Sequence, residues 1–254
     1  TLSYELQGSG PTLLLLHAFP LNRTMWTPQV QTLSSQFQLL TPDLPGFGES
    51  DLCDGPATMQ AVAEAVHALL RELAIQEVVV GGLSMGGYVA FEMFRQNPQT
   101  VRGLILADTR AEADTEEARA NRRAVADRVR KTGSAAFADE MTPKLLGRTS
   151  MQQRPELVAQ VREMIAQARP EAIAGAQLGM ALRPDSTATL RRITCPTLVL
   201  VGEEDALTPP AVAEAMQRQL PRARLAVIPR AGHLANLENP AEFNLHLREF
   251  LRGL

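Results

Sequence analysis

The stretch Val78 to Phe91, Val-Val-Val-Gly-Gly-Leu-Ser-Met-Gly-Gly-Tyr-Val-Ala-Phe, constrains this chain more than any other. A β-branched run suited to a buried strand passes through Gly-Leu-Ser-Met-Gly into an apolar segment that continues as a helix. The G-x-S-x-G pattern alone is cheap, since at average Gly and Ser usage roughly one chain in ten of this length carries it by chance. Context gives it meaning. A Ser on a sharp turn at the C-terminal end of a buried strand has its hydroxyl lifted clear of the sheet, and the first amide of the following helix points at any anion forming there. Ser84 is therefore the first candidate nucleophile, against the plain alternative of a tight strand-to-helix turn.

Around this stretch, strands and helices alternate. Leu2 to Leu6 reads as an edge strand, and Thr12 to Leu16 as a continuous apolar run for a strand buried on both faces. A helix is expected from about Thr24 to Ser34, a strand at Gln38 to Thr41, and a helix from Thr58 to Ala74 with Val62, Ala65, Val66, Leu69, Leu70 and Leu73 at helical spacing. Between that strand and helix, Asp43 to Ser50 is turn chemistry, with Ser50 holding the turn. Leu104 to Ala107, Thr197 to Val201 and Arg224 to Ile228 supply further strands, with helices at Pro210 to Gln219 and Ala241 to Leu251. Such alternation implies right-handed crossovers, a mostly parallel sheet flanked by helices, and chemical groups gathered at the C-terminal strand edge.

From Arg110 to Arg192 no strand is expected. Asp114 with Glu117 reads as a capping box, and Pro155, Pro170 and Pro184 punctuate further helices, so residues 110–192 form an inserted helical cap on a core of residues 1–109 and 193–254. The charge run from Glu116 to Arg130 reads as a solvated cap surface, whereas Phe137, Met141, Met164 and Leu178 are apolar enough to face either the sheet's edge or one another.

Composition narrows the field. A chain of 254 residues with 45% hydrophobic residues, 21% charged residues and a net charge of -3 needs no disulfide or metal staple and offers no basic surface for nucleic acid. No apolar run is long enough to span a bilayer, and Leu13 to Leu16 is too short for a signal peptide, so a cytoplasmic location is expected if Thr1 is near the true start. Cys53 and Cys195 read as free thiols, with no metal site. Gly46-Phe47-Gly48 is not a dinucleotide loop, because Asp51 stands where the third glycine belongs.

Ser84, Asp205 and His233 occur in the order serine, acid, histidine, each just past an expected strand. A hydroxyl is a poor nucleophile until an imidazole takes its proton, and the imidazole needs a carboxylate to fix its tautomer. Asp108 also ends a strand and is the second candidate acid; Glu203 and Glu204 read as solvated loop charges, and His67 and His246 as helix surface or packing residues.

With H-A-F-P at His17 to Pro20, D-L-P-G-F-G-E-S at Asp43 to Ser50, G-L-S-M-G-G at Gly82 to Gly87, G-E-E-D at Gly202 to Asp205 and G-H-L at Gly232 to Leu234, the chain resembles the α/β-hydrolase superfamily over essentially everything outside the cap. The resemblance implies nucleophile Ser84, acid Asp205, base His233 and an oxyanion hole of the Phe19 and Met85 amides, with His17 supporting the oxyanion loop. It departs from the superfamily's usual His-Gly at Ala18, which would be strained if that position needs a positive φ. G-L-S-M-G-G-Y with the tail G-H-L-A-N-L-E-N-P looks most like the small esterase and enol-lactonase branch. That branch implies a cofactor-free serine carboxylesterase, monomeric or weakly oligomeric, acting on small, largely apolar esters through an acyl-enzyme. An enol-lactonase is the nearest alternative, and a slow-turnover ligand-binding receptor the alternative of another class. Candidate substrate-binding residues are Trp26, Phe137, Met141, Met164, Leu178, Leu207 and Leu234; Trp26 has the equal alternative of packing a helix on the core. Ser84→Ala is expected to leave ligand binding largely intact while abolishing covalent labelling by organophosphonates, read by intact-protein mass spectrometry; retained labelling would remove Ser84 from the site.

Overall fold

Leu13 to Leu16 are each at most 1% exposed, as a strand covered on both faces requires. In the computed structural model, which describes residues 1–254, that run is the second of seven strands. These are β1 (Tyr4–Gln7), β2 (Thr12–Leu16), β3 (Gln38–Pro42), β4 (Val78–Leu83), β5 (Val101–Ala107), β6 (Thr197–Gly202) and β7 (Ala223–Ile228), ordered β1-β3-β2-β4-β5-β6-β7. β1 runs antiparallel to β3 and every other pair is parallel. This is the α/β-hydrolase fold, a mostly parallel sheet flanked by helices with a helical insertion.

The strand order places the site. From β2 the chain steps outward to β3, then returns to the other side of β2 as β4. The loops leaving β2 and β4 therefore diverge and open a crevice between them, the usual ligand position in open α/β sheets. Leu16 pairs with Gly82 at the end of the β2–β4 ladder, so the loop from His17 and the turn at Ser84 leave the sheet side by side.

Four helices separate or flank the central strands: α1 (Thr27–Leu33), α2 (Met59–Glu72), α3 (Met85–Gln96) and, between β5 and β6, α4 (Glu116–Leu145). The helix expected at Thr24 to Ser34 splits, because Pro28 has no N–H for the Thr24 carbonyl; Arg23–Trp26 closes instead as a 3-10 turn, with the Thr27 amide donating to that carbonyl. α2 is capped by Thr58, whose Oγ1 accepts from the Ala61 amide at 3.2 Å, and His67 reaches the Met93 carbonyl at 3.2 Å, joining α2 to α3.

The insertion continues through α5 (Arg148–Gln153), α6 (Pro155–Ala166), α7 (Pro170–Ala181) and α8 (Thr187–Leu190), without a strand. α4 breaks at Gly133, whose φ of 79° is outside helical geometry. The expected capping box at Asp114 is not formed. Thr115 is the cap, accepting from the Ala118 amide at 3.2 Å, because the Asp114 carboxylate is held by Arg122 and Arg183. Pro155 and Pro170 occupy first positions of α6 and α7, where the missing N–H costs nothing. α9 (Pro210–Gln217), α10 (Ala235–Glu238) and α11 (Pro240–Arg252) complete the chain; α10 is a single turn that sequence periodicity does not reveal. No helix is long and apolar enough to cross a membrane.

An ion pair between half-buried Arg95 and buried Glu92 ties the insertion's exit to α3. Arg95 is bonded to Glu92 through Nη2 and, at 3.1 Å, Nε, while its Nη1 donates to Ser186 Oγ at 2.9 Å and Thr189 Oγ1 at 3.0 Å. Glu92 is only 6% exposed with Arg95 over it. Arg95→Met is expected to cost about 3–5 kcal/mol of unfolding free energy, measured by urea titration, because it leaves a buried charge unpaired; adding Glu92→Met should restore most of that loss.

Candidate active site

The β4–α3 turn is built by contacts too close for any side chain. A Cβ on Gly82 would stand 2.2 Å from the Gly86 carbonyl oxygen, and one on Gly86 would stand 2.2 Å from that of Leu16. This packing holds Ser84 at φ 54°, ψ −112°, a backbone conformation rare outside glycine. Four hydrogen bonds fix it there: the Ser84 amide to the Ala107 carbonyl (2.9 Å), and the Gly87 amide (2.9 Å), the Tyr88 amide (3.4 Å) and Thr109 Oγ1 (2.8 Å) to the Ser84 carbonyl.

Ser84 Oγ lies 2.8 Å from His233 Nε2, and His233 Nδ1 lies 2.8 Å from Asp205 Oδ2. A neutral imidazole protonated at Nδ1 satisfies both, donating to Asp205 and accepting from the Ser84 hydroxyl. Asp205 also accepts from the Leu207 amide (2.8 Å), the Thr208 amide (3.0 Å) and Thr208 Oγ1 (2.5 Å). Burial opposes its ionisation, but the donors from His233 and Thr208 outweigh burial and hold the carboxyl below the usual carboxylate range. Thr208 has no motif signal; its place three residues after the acid is where a side-chain cap of a carboxylate is expected.

Asp108 is brought into the same neighbourhood with the opposite electrostatics. Its Oδ1 accepts from the Gly202 amide at 2.8 Å, but Oδ2 is buried without a partner. Burial, reinforced by the Asp205 charge, pushes its carboxyl well above the usual range. His233 hydrogen-bonds Asp205, and none of its bonds goes to Asp108.

The loop after β2 carries the second set of backbone donors. His17 is fully buried, with Nδ1 donating to the Ala18 carbonyl and Nε2 accepting from the Leu44 amide, each at 2.9 Å. Burial pushes it below the ordinary histidine range, which suits this neutral tautomer. Ala18 is not among the residues with positive φ, so the departure from His-Gly introduces no strain there. The Phe19 and Met85 amides make no hydrogen bond within the protein and flank the Ser84 turn. Asp43 and Ser50 hold the neighbouring turn: Asp43 accepts from the Arg23 amide (2.7 Å) and the Glu49 amide (3.0 Å), and Ser50 Oγ donates to the Asp43 carbonyl (2.6 Å).

A cleft of about 370 Å³ leads to Ser84 and His233. Phe19, Phe137, Met141, Leu145 and Leu207 line it, but so do Arg110, Asp114, Asn121, Arg122, Glu140, Lys144, Gln177 and Arg183, making the wall mixed rather than largely apolar. Four candidates are elsewhere. Trp26 is buried on Phe243 (centroids 6.3 Å apart), taking its packing alternative; Met164 lines a separate surface cleft beside Pro20; Leu178 packs against the core; Leu234, directly after His233, is fully buried. Arg122 also corrects the reading of Glu116 to Arg130 as wholly solvated, since it turns inward with Ala118 and Val125. That i, i+4, i+7 spacing was the available signal. A cleft of about 440 Å³ at the opposite sheet edge, near Pro11 and Val78, contains no nucleophile–base pair.

The two glutamates expected to be solvated have structural partners. Glu203 accepts from the Arg230 amide at 3.0 Å, and Glu204 accepts from the Thr149 amide (2.7 Å) and Oγ1 (2.6 Å). Glu238, on the unanticipated α10, accepts from the Gly232 amide (2.8 Å) and Leu234 amide (3.2 Å) on either side of His233, and from the Gly147 amide (2.8 Å) of the insertion. Burial raises its carboxyl despite these donors.

The sequence model described as Alpha/beta hydrolase family matches residues 13–244. The structure of a thermophilic esterase from Thermogutta terrifontis, determined with malate bound, matches with a TM-score of 0.98 and 48% identity, covering 99% of this chain and 93% of that one. A pimeloyl-[acyl-carrier protein] methyl ester esterase of Nitrosomonas europaea is 28% identical, covering 94% of this chain and 95% of its own length. The 3-oxoadipate enol-lactonase 1 of Acinetobacter baylyi is 29% identical, covering all of this chain and 94% of its own length.

The two aspartates should separate cleanly. Asp205→Asn removes the charge that His233 hydrogen-bonds and favours the wrong tautomer, so ester turnover should fall by about 10⁴-fold, whereas Asp108→Asn should stay within about tenfold of the parent. Stability should move the other way for Asp108. A carboxyl raised by folding binds its proton more tightly in the native state, so stability falls as pH climbs above the unfolded value. Asp108→Asn is therefore expected to raise Tm at pH 7, at about 2–4 °C per kcal/mol for a chain of this size, with the gain shrinking toward pH 4 in differential scanning fluorimetry.

Proposed function

The chain belongs to the Alpha/beta hydrolase family, and from that premise we propose that it is a serine carboxylesterase that hydrolyses small esters through an acyl-enzyme. The observation that carries the proposal is the continuous relay in which Ser84 Oγ, His233 and Asp205 are joined by two 2.8 Å hydrogen bonds at the mouth of a cleft. The esterases among its relatives support the same reading.

In this mechanism His233 Nε2 takes the Ser84 proton as Oγ attacks the ester carbonyl, and Asp205 stabilises the imidazolium that forms. The developing oxyanion meets the Phe19 and Met85 amides, the latter at the start of α3 where the helix dipole also favours negative charge. Collapse expels the alcohol, which takes the proton back from His233. Water, deprotonated by His233, then attacks the Ser84 ester, and a second collapse releases the acid and restores the hydroxyl. Every proton is carried by His233, so the scheme needs no further cofactor.

The enol-lactonase relatives favour one second reading. A lactone would be opened by the same relay, with the leaving oxygen remaining tethered to the acyl group. A panel of p-nitrophenyl esters of increasing acyl length, run beside a lactone panel, distinguishes the readings by kcat/KM. Sustained multiple turnover, highest on short acyl chains, is expected; preference for lactones would establish the second reading, and a single turnover followed by arrest would point to a binding protein instead.

A further inference from the structure

Arg110 stands three residues beyond the end of β5, directly after Thr109, the residue that clamps the Ser84 carbonyl. It lines the same cleft as Ser84 and His233. Its one hydrogen bond within the protein runs from Nη2 to the Leu207 carbonyl, on the loop that also presents Asp205. A guanidinium with five N–H donors is thus tied at one corner between two strand-end loops. No carboxylate lies within ion-pair distance of it.

The other cations of the cleft are already engaged. Arg122 and Arg183 share Asp114, and Lys144 pairs with Glu140 at 3.0 Å. Arg122 is further occupied by Gln177 Oε1 at 3.0 Å, and Arg183 lies against the Tyr88 ring, 4.3 Å from its centroid. Three guanidiniums and the Lys144 ammonium therefore share the walls that lead to Ser84 with two carboxylates, Asp114 and Glu140, and Arg110 is the cation that neither of them pairs. This is unusual in a chain whose overall charge is -3, and a neutral apolar ester has no use for it.

Building on the esterase reading, we propose that the cleft selects substrates carrying a free carboxylate besides the scissile ester, namely half-esters of short dicarboxylic acids. Arg110 is the specificity-determining residue that meets that carboxylate. The uncancelled positive charge of the cleft raises the local concentration of such anions, and the planar guanidinium fixes their orientation with the ester over Ser84. A role confined to bracing the Leu207 loop would affect all esters alike, which makes the alternatives separable.

The test compares mono-p-nitrophenyl glutarate with p-nitrophenyl pentanoate, matched in length and leaving group and differing in the terminal carboxylate. The parent protein should show the higher kcat/KM on the half-ester, through a lower KM, and this preference should decline as salt is raised. Arg110→Met should reduce the half-ester to pentanoate ratio by roughly tenfold to a hundredfold, the range for one charge-assisted hydrogen bond, while Arg110→Lys retains part of the preference. If Arg110→Met does not fold, the parent's ratio, its salt dependence and the Arg110→Lys value decide. A parent that prefers pentanoate, or a ratio unchanged in the variants, would overturn the proposal while leaving the esterase reading intact. Failure to turn over either ester would instead defeat the esterase reading beneath it.

Discussion

The site depends on one strained residue held between two glycines. Ser84 at φ 54° sits in a conformation that costs a non-glycine residue on the order of 1–3 kcal/mol, and it persists because its surroundings leave no alternative. Its amide is committed to β5 and its carbonyl to Gly87 and Thr109. The close backbone approach across Gly82, Gly86 and Leu16 lets the helix begin immediately after the strand. Relaxing that turn would move the hydroxyl away from His233 and turn the Met85 amide away from the crevice. The strand-order reversal between β2 and β4 then places the Phe19 loop beside it. Position is thus settled by backbone packing before any side chain contributes chemistry.

The two buried aspartates show how similar placements acquire different electrostatic characters. Asp108 and Asp205 follow adjacent, paired strands and both are nearly inaccessible to water. Desolvation works against ionisation in each, so the balance falls to the donors. Asp205 has two amides, a hydroxyl and an imidazole, and is held below the ordinary range; Asp108 has the Gly202 amide with one oxygen unpartnered, and is pushed well above it. The difference also suits the proposed relay, in which a second ionised carboxylate beside Asp205 would repel the charge meant to stabilise an imidazolium.

The residues legible in the sequence were those governed by local backbone rules. The apolar run at Leu13 to Leu16 requires two-sided cover, and the glycines around Ser84 permit only a tight turn, so sheet, elbow and the order of Ser84, Asp205 and His233 could be read directly. The cleft lining was less legible because it is assembled from helix faces far apart in sequence. Phe137, Met141 and Leu207 reach it, while Trp26, Met164, Leu178 and Leu234, equally apolar, are absorbed by packing elsewhere. Hydrophobicity says that a side chain will be buried, without saying against what. The charged face of α4 misled for the complementary reason: Arg122 is satisfied by Asp114 and Gln177 inside the cleft, so its charge did not require solvent.

The insertion is joined to the core through the same segments that carry Asp205, His233 and Phe19. Phe137 of α4 meets Phe19 edge to face, with ring centroids 6.0 Å apart, so the aromatic side chain of the loop after β2 is seated against the insertion. Thr149 bonds Glu204, the neighbour of Asp205, and Gly147 bonds Glu238, which also holds the amides on both sides of His233. Displacing the insertion would therefore disturb the loops that carry Asp205, His233 and Phe19 together. Such coupling constrains how substrate range can change: substitutions whose side chains line the cleft can alter the wall, but shifts of the α4–α5 junction act on the relay itself. Arg110, anchored on core loops and open to the cleft, lies on the permissive side of that division.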